Sequence, residues 1–231
     1  KDTEYRRKTL ERYTDYASTG KDFPLLQFTA RHSEASQAVG YGKSLMWFHM
    51  LRRELGDPHF RDALQQLWKD WQFRSAGFMD VLEVFRHQTD ADLSHYEQWL
   101  CNAGAPDIRL QNVTLDTAEK GYRLSLEVSQ AQSEMPFRFP LTIVVTFAEP
   151  RGAEIQQLEI TERVEKFSWS YDERPLRLDI DPYFDTFRRL DPAERPATLS
   201  RLFGASSQLA ILPYDTSEVE KNAWQIGRAH V

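Results

Sequence analysis

The stretch of residues 38–56, AVGYGKSLMWFHMLRRELG, constrains the fold of this chain more than any other part of the sequence. Its apolar residues cover most of the circumference of an α-helix of about five turns, and Gly56 stands where a helix commonly ends. A helix that is apolar on nearly all sides is stable only when other elements surround it. The sequence therefore predicts that this helix lies in the middle of a helical bundle.

Two glycines, Gly40 and Gly42, flank Tyr41 near the start of that helix. Each costs about 1 kcal/mol relative to alanine inside a helix, so their presence indicates close backbone packing or access for a ligand. Tyr41 then has two interpretations. It is a core tyrosine whose hydroxyl has a partner, or its phenol is offered to a ligand, and spacing alone favours the first.

Further helices are predicted on both sides of the central one. Residues 3–16 mix apolar and charged side chains as a surface helix does, and Asp57-Pro58 is a typical helix start. Residues 76–86 carry apolar side chains on one side, and Asp92 is the predicted cap of a last short helix. Short links between these helices favour antiparallel helical hairpins.

After Pro106 the period of the apolar pattern changes from 3.6 residues to 2. Alternating or β-branched runs follow one another as a series of short strands, at residues 109–115, 122–128, 139–147, 155–160 and 167–171. Such a series favours a small antiparallel sandwich. The predicted fold class is α+β, an all-α helical bundle followed by a small antiparallel β-sandwich.

This pattern predicts a helical lobe at residues 1–105, a β-sandwich domain at 106–180, and a linker with the start of a further domain at 181–225. The last of these is rich in proline and charge. Residues 226–231, IGRAHV, resemble the translation of a sequencing adapter, and we expect them to be an artefact. Lys1 already stands within a helical pattern, so we expect an internal piece of a longer protein.

Composition excludes some partners. The formal net charge of −6 argues against a broad surface for nucleic acid or anionic membrane. The single cysteine, Cys101, excludes an internal disulfide and a CxxC metal knuckle. No run of about 18 apolar residues occurs, so no transmembrane segment is predicted. Compartment and oligomeric state are left open.

The polar cluster with residue types that suit a divalent metal consists of His87, Asp90, Asp92 and His95. It spans a helix end, a turn and a helix start, where aspartate caps and exposed histidines are common, so turn chemistry is the favoured interpretation. No metal ligand and no cofactor-binding residue is assigned in this chain. His49, inside the apolar helix, is predicted to be a buried histidine with a backbone or carboxylate partner.

An ordered series of motifs resembles the aminopeptidase N-type zinc metallopeptidases, or gluzincins. The resemblance covers roughly residues 1–180 and is carried by Tyr41-Gly-Lys43, the LRRELGD segment at 51–57, Phe60, Trp99-Leu100, Gly104-Ala-Pro106, Pro136-Phe137 and Pro140-Leu141. In that family the tyrosine of Tyr-x-Lys-Gly donates a hydrogen bond to the oxyanion of the tetrahedral intermediate. Tyr41 stands at that position, although Ser44 replaces the usual glycine.

The resemblance implies the C-terminal half of a thermolysin-like catalytic domain followed by a β-sandwich domain. The whole protein would remove N-terminal residues from peptides, with zinc as cofactor, peptides as substrates and Tyr41 as a catalytic residue. In that family the zinc ligands are two histidines of His-Glu-x-x-His and a later glutamate, all before Tyr-x-Lys. This chain contains no His-Glu-x-x-His, so we expect the ligands upstream of Lys1 and the fragment alone to be inactive.

The alternative is a non-catalytic interaction module. It would keep the helical and β-sandwich scaffold after losing the zinc site. The sequence upstream of Lys1 distinguishes the two: His-Glu-x-x-His in that region favours the enzyme, and its absence from a collinear reading frame favours the module.

Overall fold

The computed structural model describes residues 1–17, 20–30 and 32–195. Contacts divide the chain into two units, Lys1–Asp191 and Pro192–Val231, and the helices and strands described below belong to the first. Four helices come first along the chain: α1 (Asp2–Ala17), α2 (Glu34–Trp71), α3 (Phe78–Arg86) and α4 (Glu97–Cys101). Six strands follow: β1 (Ile108–Thr117), β2 (Tyr122–Gln130), β3 (Phe139–Thr146), β4 (Ala153–Ile160), β5 (Val164–Tyr171) and β6 (Arg177–Ile180). The fold class is mixed α+β.

Helix α2 contains the apolar stretch with which the sequence analysis began. It starts at a capping box in which the side chains of Ser33 and Ser36 each accept from the other residue's backbone N–H. Its first half buries apolar side chains such as Met46, Trp47 and Leu51. The predicted interruption is present at Gly56, whose φ of 75° and ψ of 160° are not helical and favour glycine.

The strands form two antiparallel sheets of three strands each. Their spatial orders are β1-β2-β5 and β4-β3-β6. The alternating pattern of β2 buries Leu124, Leu126 and Val128, and β3 contributes Phe139 and Leu141 among others to the same hydrophobic core. Four of the five predicted runs lie wholly within strands, the run at 139–147 ends one residue beyond β3, and the short strand β6 is not predicted. The core is continuous with side chains of α1, α2 and α4.

Residues 181–191 differ from the linker that the sequence predicts. Phe187 and Leu190 are buried, and so are the polar side chains of Asp181 and Arg188, whose carboxylate and guanidinium pair at 2.9 Å. The segment returns to the helices, where the Leu190 N–H donates to the Thr14 hydroxyl at 3.0 Å. The composition of the segment does not predict this packing, because prolines and charged residues surround the few apolar side chains that are buried in the core.

The remaining predictions for the C-terminal region lie outside the described residues. These are the rest of the linker and further domain after residue 195, and the adapter-derived residues 226–231. The boundaries at 105/106 and 180/181 stay predictions as domain limits. In the part of the chain that the structure describes, no helix is both long and apolar enough for a membrane crossing.

Candidate functional site

Tyr41 lies on the wall of a cleft between α1 and α2. The cleft has a volume of about 460 Å³, and the Tyr41 side chain is 54% exposed. The interpretation of Tyr41 as a buried core tyrosine is therefore wrong. No residue in the described ranges forms a hydrogen bond with its hydroxyl, so the phenol is free to donate to a ligand.

Close packing explains one of the two glycines beside Tyr41. A Cβ at Gly40 would lie 2.3 Å from the ring of Phe28, which covers the helix backbone there. A Cβ at Gly42 would lie 3.4 Å from the Thr9 methyl group on α1, an ordinary contact. Of the two expectations for these glycines, close packing is therefore confirmed at Gly40.

Phe28 also positions the Tyr41 ring. The two rings meet edge to face with centroids 5.2 Å apart, a favourable arrangement for aromatic pairs. Phe23 in turn stacks on Phe28, with 6.4 Å between their ring centroids. Phe28 packs against the backbone at Gly40, so its ring is held in place and in turn holds the Tyr41 ring.

Lys43 has the opposite environment to Tyr41, although only one residue separates them. Its side chain is 1% exposed, and its Nζ lies 2.8 Å from Oδ1 of Asp22 and donates to the Phe23 carbonyl at 2.7 Å. Burial lowers the pKa of Lys43, while the charge of Asp22 and its hydrogen bond oppose that shift. This contact fixes the rotation of α2.

Asp22 joins several elements at this point. Its Oδ2 accepts from the Tyr13 hydroxyl on α1 and from the Gly104 N–H, both at 2.6 Å, and its Oδ1 accepts from the Phe23 N–H at 2.7 Å. Burial beside this carboxylate raises the pKa of Tyr13 well above its usual value, so Tyr13 remains a hydrogen-bond donor. The network is fully paired and therefore structural.

The described lining of the Tyr41 cleft carries a positive charge. Among the described residues that line it, Arg12 is the one charged side chain. Ser44, which replaces the family's usual glycine, also lines the cleft and donates its hydroxyl hydrogen to the Gly40 carbonyl at 2.8 Å. The serine is thus compatible with the helix and does not obstruct the phenol by hydrogen bonding to it.

A second cleft, of about 580 Å³, lies beside Asp185. The Asp185 carboxylate is 2.8 Å from Nε2 of His49, 3.0 Å from Arg6 and 3.4 Å from Arg53. Burial raises the pKa of Asp185, but the hydrogen bond from His49 and the charges of Arg53 and Arg6 outweigh it and leave the pKa below its usual value. The predicted carboxylate partner of His49 is confirmed, but its side chain is partly exposed on this cleft rather than buried. The cleft holds a satisfied ion-pair cluster.

Comparison with known proteins finds similarity of fold to solved structures. No protein-family model and no curated protein matches the chain. The solved structure of Legionella pneumophila aminopeptidase A in complex with aspartic acid is similar, with a TM-score of 0.57 and 16% sequence identity. The chain has the fold of part of an aminopeptidase. At this identity the likeness shows the fold alone, and the match covers 77% of this chain and 21% of that one.

The candidate metal cluster takes part in turn contacts. Asp92 accepts from the Ser94 N–H at 2.9 Å, and His95 Nδ1 lies 3.1 Å from the Asp92 carbonyl oxygen. The predicted cap at Asp92 is one residue too early, because Leu93 is the N-cap of the helical turn Ser94–Tyr96 that leads into α4. His87 lies near Glu83 on its own helix. Within residues 1–17, 20–30 and 32–195, no group of three or more histidine, cysteine, aspartate or glutamate side chains is placed to hold a metal ion. The described residues therefore do not fit a zinc site by themselves.

Sequence reasoning missed three residues that shape these sites: Arg12, Asp22 and Asp185. Acidic residues alternate with the arginines of α1, as is typical of a surface helix, and this pattern gives no sign that Arg12 lines a cleft. Asp22 stands in an irregular connector with no periodic pattern. Asp185 lies 136 residues after its partner His49, and only the fold brings them together. The one local signal available was the spacing of Tyr5, Thr9 and Arg12, which places all three on one face of α1.

Proposed function

We propose that this chain is part of a zinc-dependent aminopeptidase that hydrolyses N-terminal residues from peptides. In this proposal residues 1–105 form the C-terminal half of a thermolysin-like catalytic domain, and the two sheets form the β-sandwich domain that follows it. Tyr41 donates a hydrogen bond to the oxyanion of the tetrahedral intermediate. The partial match to the fold of an aminopeptidase and the ordered motifs around Tyr41 support it.

The observation that carries the proposal is the exposure of the Tyr41 phenol on the wall of a cleft. A donor that stabilises an oxyanion has to be fixed before the reaction and free of competing partners. Phe28 holds the ring, and Lys43 fixes the rotation of the helix that carries it. A core tyrosine with a satisfied hydroxyl could not perform this function.

Zinc enters the proposal through residues outside this sequence. The described residues offer no cluster that would hold the ion. What this chain contributes is one side of a cleft, with a neutral donor at Tyr41 and a cation at Arg12. Peptides are the proposed substrates because the resembled family hydrolyses them.

The test is Tyr41→Phe in the full-length protein. Loss of one oxyanion donor typically lowers kcat by about 10²–10³, so turnover of aminoacyl substrates should fall by that factor while zinc content stays at the wild-type value. Tyr122→Phe, which removes a phenol from strand β2, serves as the control and should leave turnover unchanged. Near-normal turnover of Tyr41→Phe would remove this residue from the mechanism.

A second candidate, the non-catalytic interaction module, is favoured by one observation. The second half of α2 exposes the apolar side chains of Leu64 and Trp68, the latter at 68% exposure, and Phe73 is exposed just beyond the end of the helix. Single exposed apolar residues are ordinary, but several on one helix mark a contact surface. Sequencing the coding region upstream of Lys1 separates the two candidates: His-Glu-x-x-His there supports the peptidase.

A further inference from the structure

Arg12 differs from the other arginines of α1, since no ion pair joins it to any residue that the structure describes. Arg6 pairs with Asp185 at 3.0 Å, and Arg7 pairs with Glu4 at 2.7 Å and also with Glu11. Within the described part of the chain, no carboxylate pairs with Arg12. Its guanidinium is therefore available, and it lines the cleft that also exposes the Tyr41 phenol.

The geometry of α1 and α2 explains why Arg12 and Tyr41 share this cleft. On α1, Tyr5, Thr9 and Arg12 follow one another at intervals of four and three residues, which places them on one helix face. On α2, Tyr41 and Leu45 are likewise on one face. Gly42 faces Thr9 where the two helices meet, with 3.4 Å between the Thr9 methyl group and the position of a Cβ at Gly42, so the two faces form the walls of one cleft.

The electrostatics of the cleft favour an anion. The chain as a whole carries a formal net charge of −6, yet the charged side chain on this cleft is a cation. An arginine guanidinium matches a carboxylate with two parallel hydrogen bonds, and the apolar side chains of Leu45 and Phe48 line the same cleft. The neutral phenol of Tyr41 adds a second donor without adding charge.

We infer that Arg12 binds a carboxylate of the substrate and makes this site selective for acidic peptides. The inference rests on the proposed function, because the carboxylate is supplied by the peptide whose carbonyl Tyr41 contacts. Two sources offer the same chemistry: the side chain of an N-terminal aspartate or glutamate, and the acidic side chain of the second residue. Arg12 is a specificity-determining residue in either case.

The experiment compares acidic substrates with their neutral isosteres in the full-length protein. Glutamyl and glutaminyl anilides test the first position, and alanyl-glutamate amide against alanyl-glutamine amide tests the second. The wild type should favour the acidic member of one pair by about tenfold in kcat/KM, the factor expected for one charge-assisted hydrogen bond. Arg12→Gln should bring that ratio to about one, and Arg12→Lys should restore part of it.

Arg7→Gln is the matched control. It removes the same charge from the same helix, but Arg7 is paired with Glu4 and Glu11 and does not line the cleft. The acidic preference should therefore survive in this variant. Its survival would exclude a long-range effect of net charge as the cause of the preference. An equal kcat/KM for the acidic and neutral members of both pairs in the wild type overturns the inference and leaves the proposed function intact.

Failure of the proposed function has a different signature. If the full-length protein turns over no aminoacyl substrate, the peptidase proposal fails, and carboxylate binding is then decided by a titration of this chain. Succinate should shift the Arg12 Nε–H resonance in an NMR spectrum, and succinamide should not. The same shift with both compounds, or with neither, overturns the inference independently of any activity.

Discussion

Lys43 and Asp22 form a buried ion pair, with 2.8 Å between Nζ and Oδ1, on the side of α2 that faces away from Tyr41. Residues two apart on an α-helix are separated by about 200° around its axis. The pair that holds Lys43 inside therefore turns Tyr41 outward into the cleft. Position 43 thus determines whether position 41 is a core residue or a donor.

Removal of the Lys43 charge is the first prediction. Lys43→Met leaves the Asp22 carboxylate buried without its cation, so the free energy of unfolding of this chain should fall by about 3–5 kcal/mol. Urea denaturation followed by circular dichroism measures the change. Lys69→Met, at an exposed position near the end of α2, should change it by about 0.5 kcal/mol or less. Equal effects at both positions would contradict a structural role for the pair.

The two glycines that flank Tyr41 should respond differently to alanine. At Gly40 the added methyl group would lie 2.3 Å from the Phe28 ring, so Gly40→Ala should destabilise the chain by roughly 1–3 kcal/mol. At Gly42 the nearest atom lies 3.4 Å away, an ordinary contact, so the gain in helix propensity of up to about 1 kcal/mol should dominate. Urea denaturation of both variants measures the difference.

The Phe28 ring also supplies the control for that comparison. Gly40→Ala should cost less stability in the Phe28→Ala variant than in the wild type, because the ring with which the added methyl group clashes has been removed. A double-mutant cycle measures this coupling. Additive effects of the two substitutions would show that Phe28 does not press on the backbone at Gly40.

The third prediction concerns the pH dependence of stability at Asp185. Its pKa is below the usual value in the folded chain, so it contributes stability above the unfolded-state pKa of about 4, and this is lost as pH falls through the folded-state pKa. Between pH 5 and pH 3 the wild type should therefore lose more stability than Asp185→Asn, by on the order of 1 kcal/mol. Asp116→Asn, at an exposed strand position, should follow the wild type.

The sequence predicted the elements better than the contacts between them. Helical and strand periods are local, so α2, its interruption at Gly56, and the five strand runs follow from spacing. The Tyr41 side chain was harder to place, because its direction depends on Lys43, and the partner of Lys43 lies in a connector without any pattern. A buried charge needs an oppositely charged or hydrogen-bonding partner, and the sequence of an apolar helix does not show which residue that partner is.

Arg12 shows the same limit for the candidate site. Its residue type and the acidic neighbours on α1 predicted a solvated helix face. Glu4 and Glu11 instead pair with Arg7. Arg12 lines the cleft and forms no ion pair with a carboxylate among the described residues. Which of several alternating charges pair is decided by side-chain placement in three dimensions, so composition could not single out Arg12.

The final prediction tests the packing of residues 181–191, which the sequence assigned to a linker. The Phe187 ring is 1% exposed and lies with its centroid 4.5 Å from that of Tyr13 and 5.6 Å from that of Trp99. Phe187→Ala should therefore lower the free energy of unfolding by about 3–5 kcal/mol, the cost of a cavity in a packed core. Tyr183→Ala, in the same segment but exposed, should cost less than about 1 kcal/mol. A linker residue contributes little to the free energy of unfolding, so a small effect of Phe187→Ala would favour the linker interpretation. A large effect would show that the segment is part of the fold that carries the Tyr41 cleft.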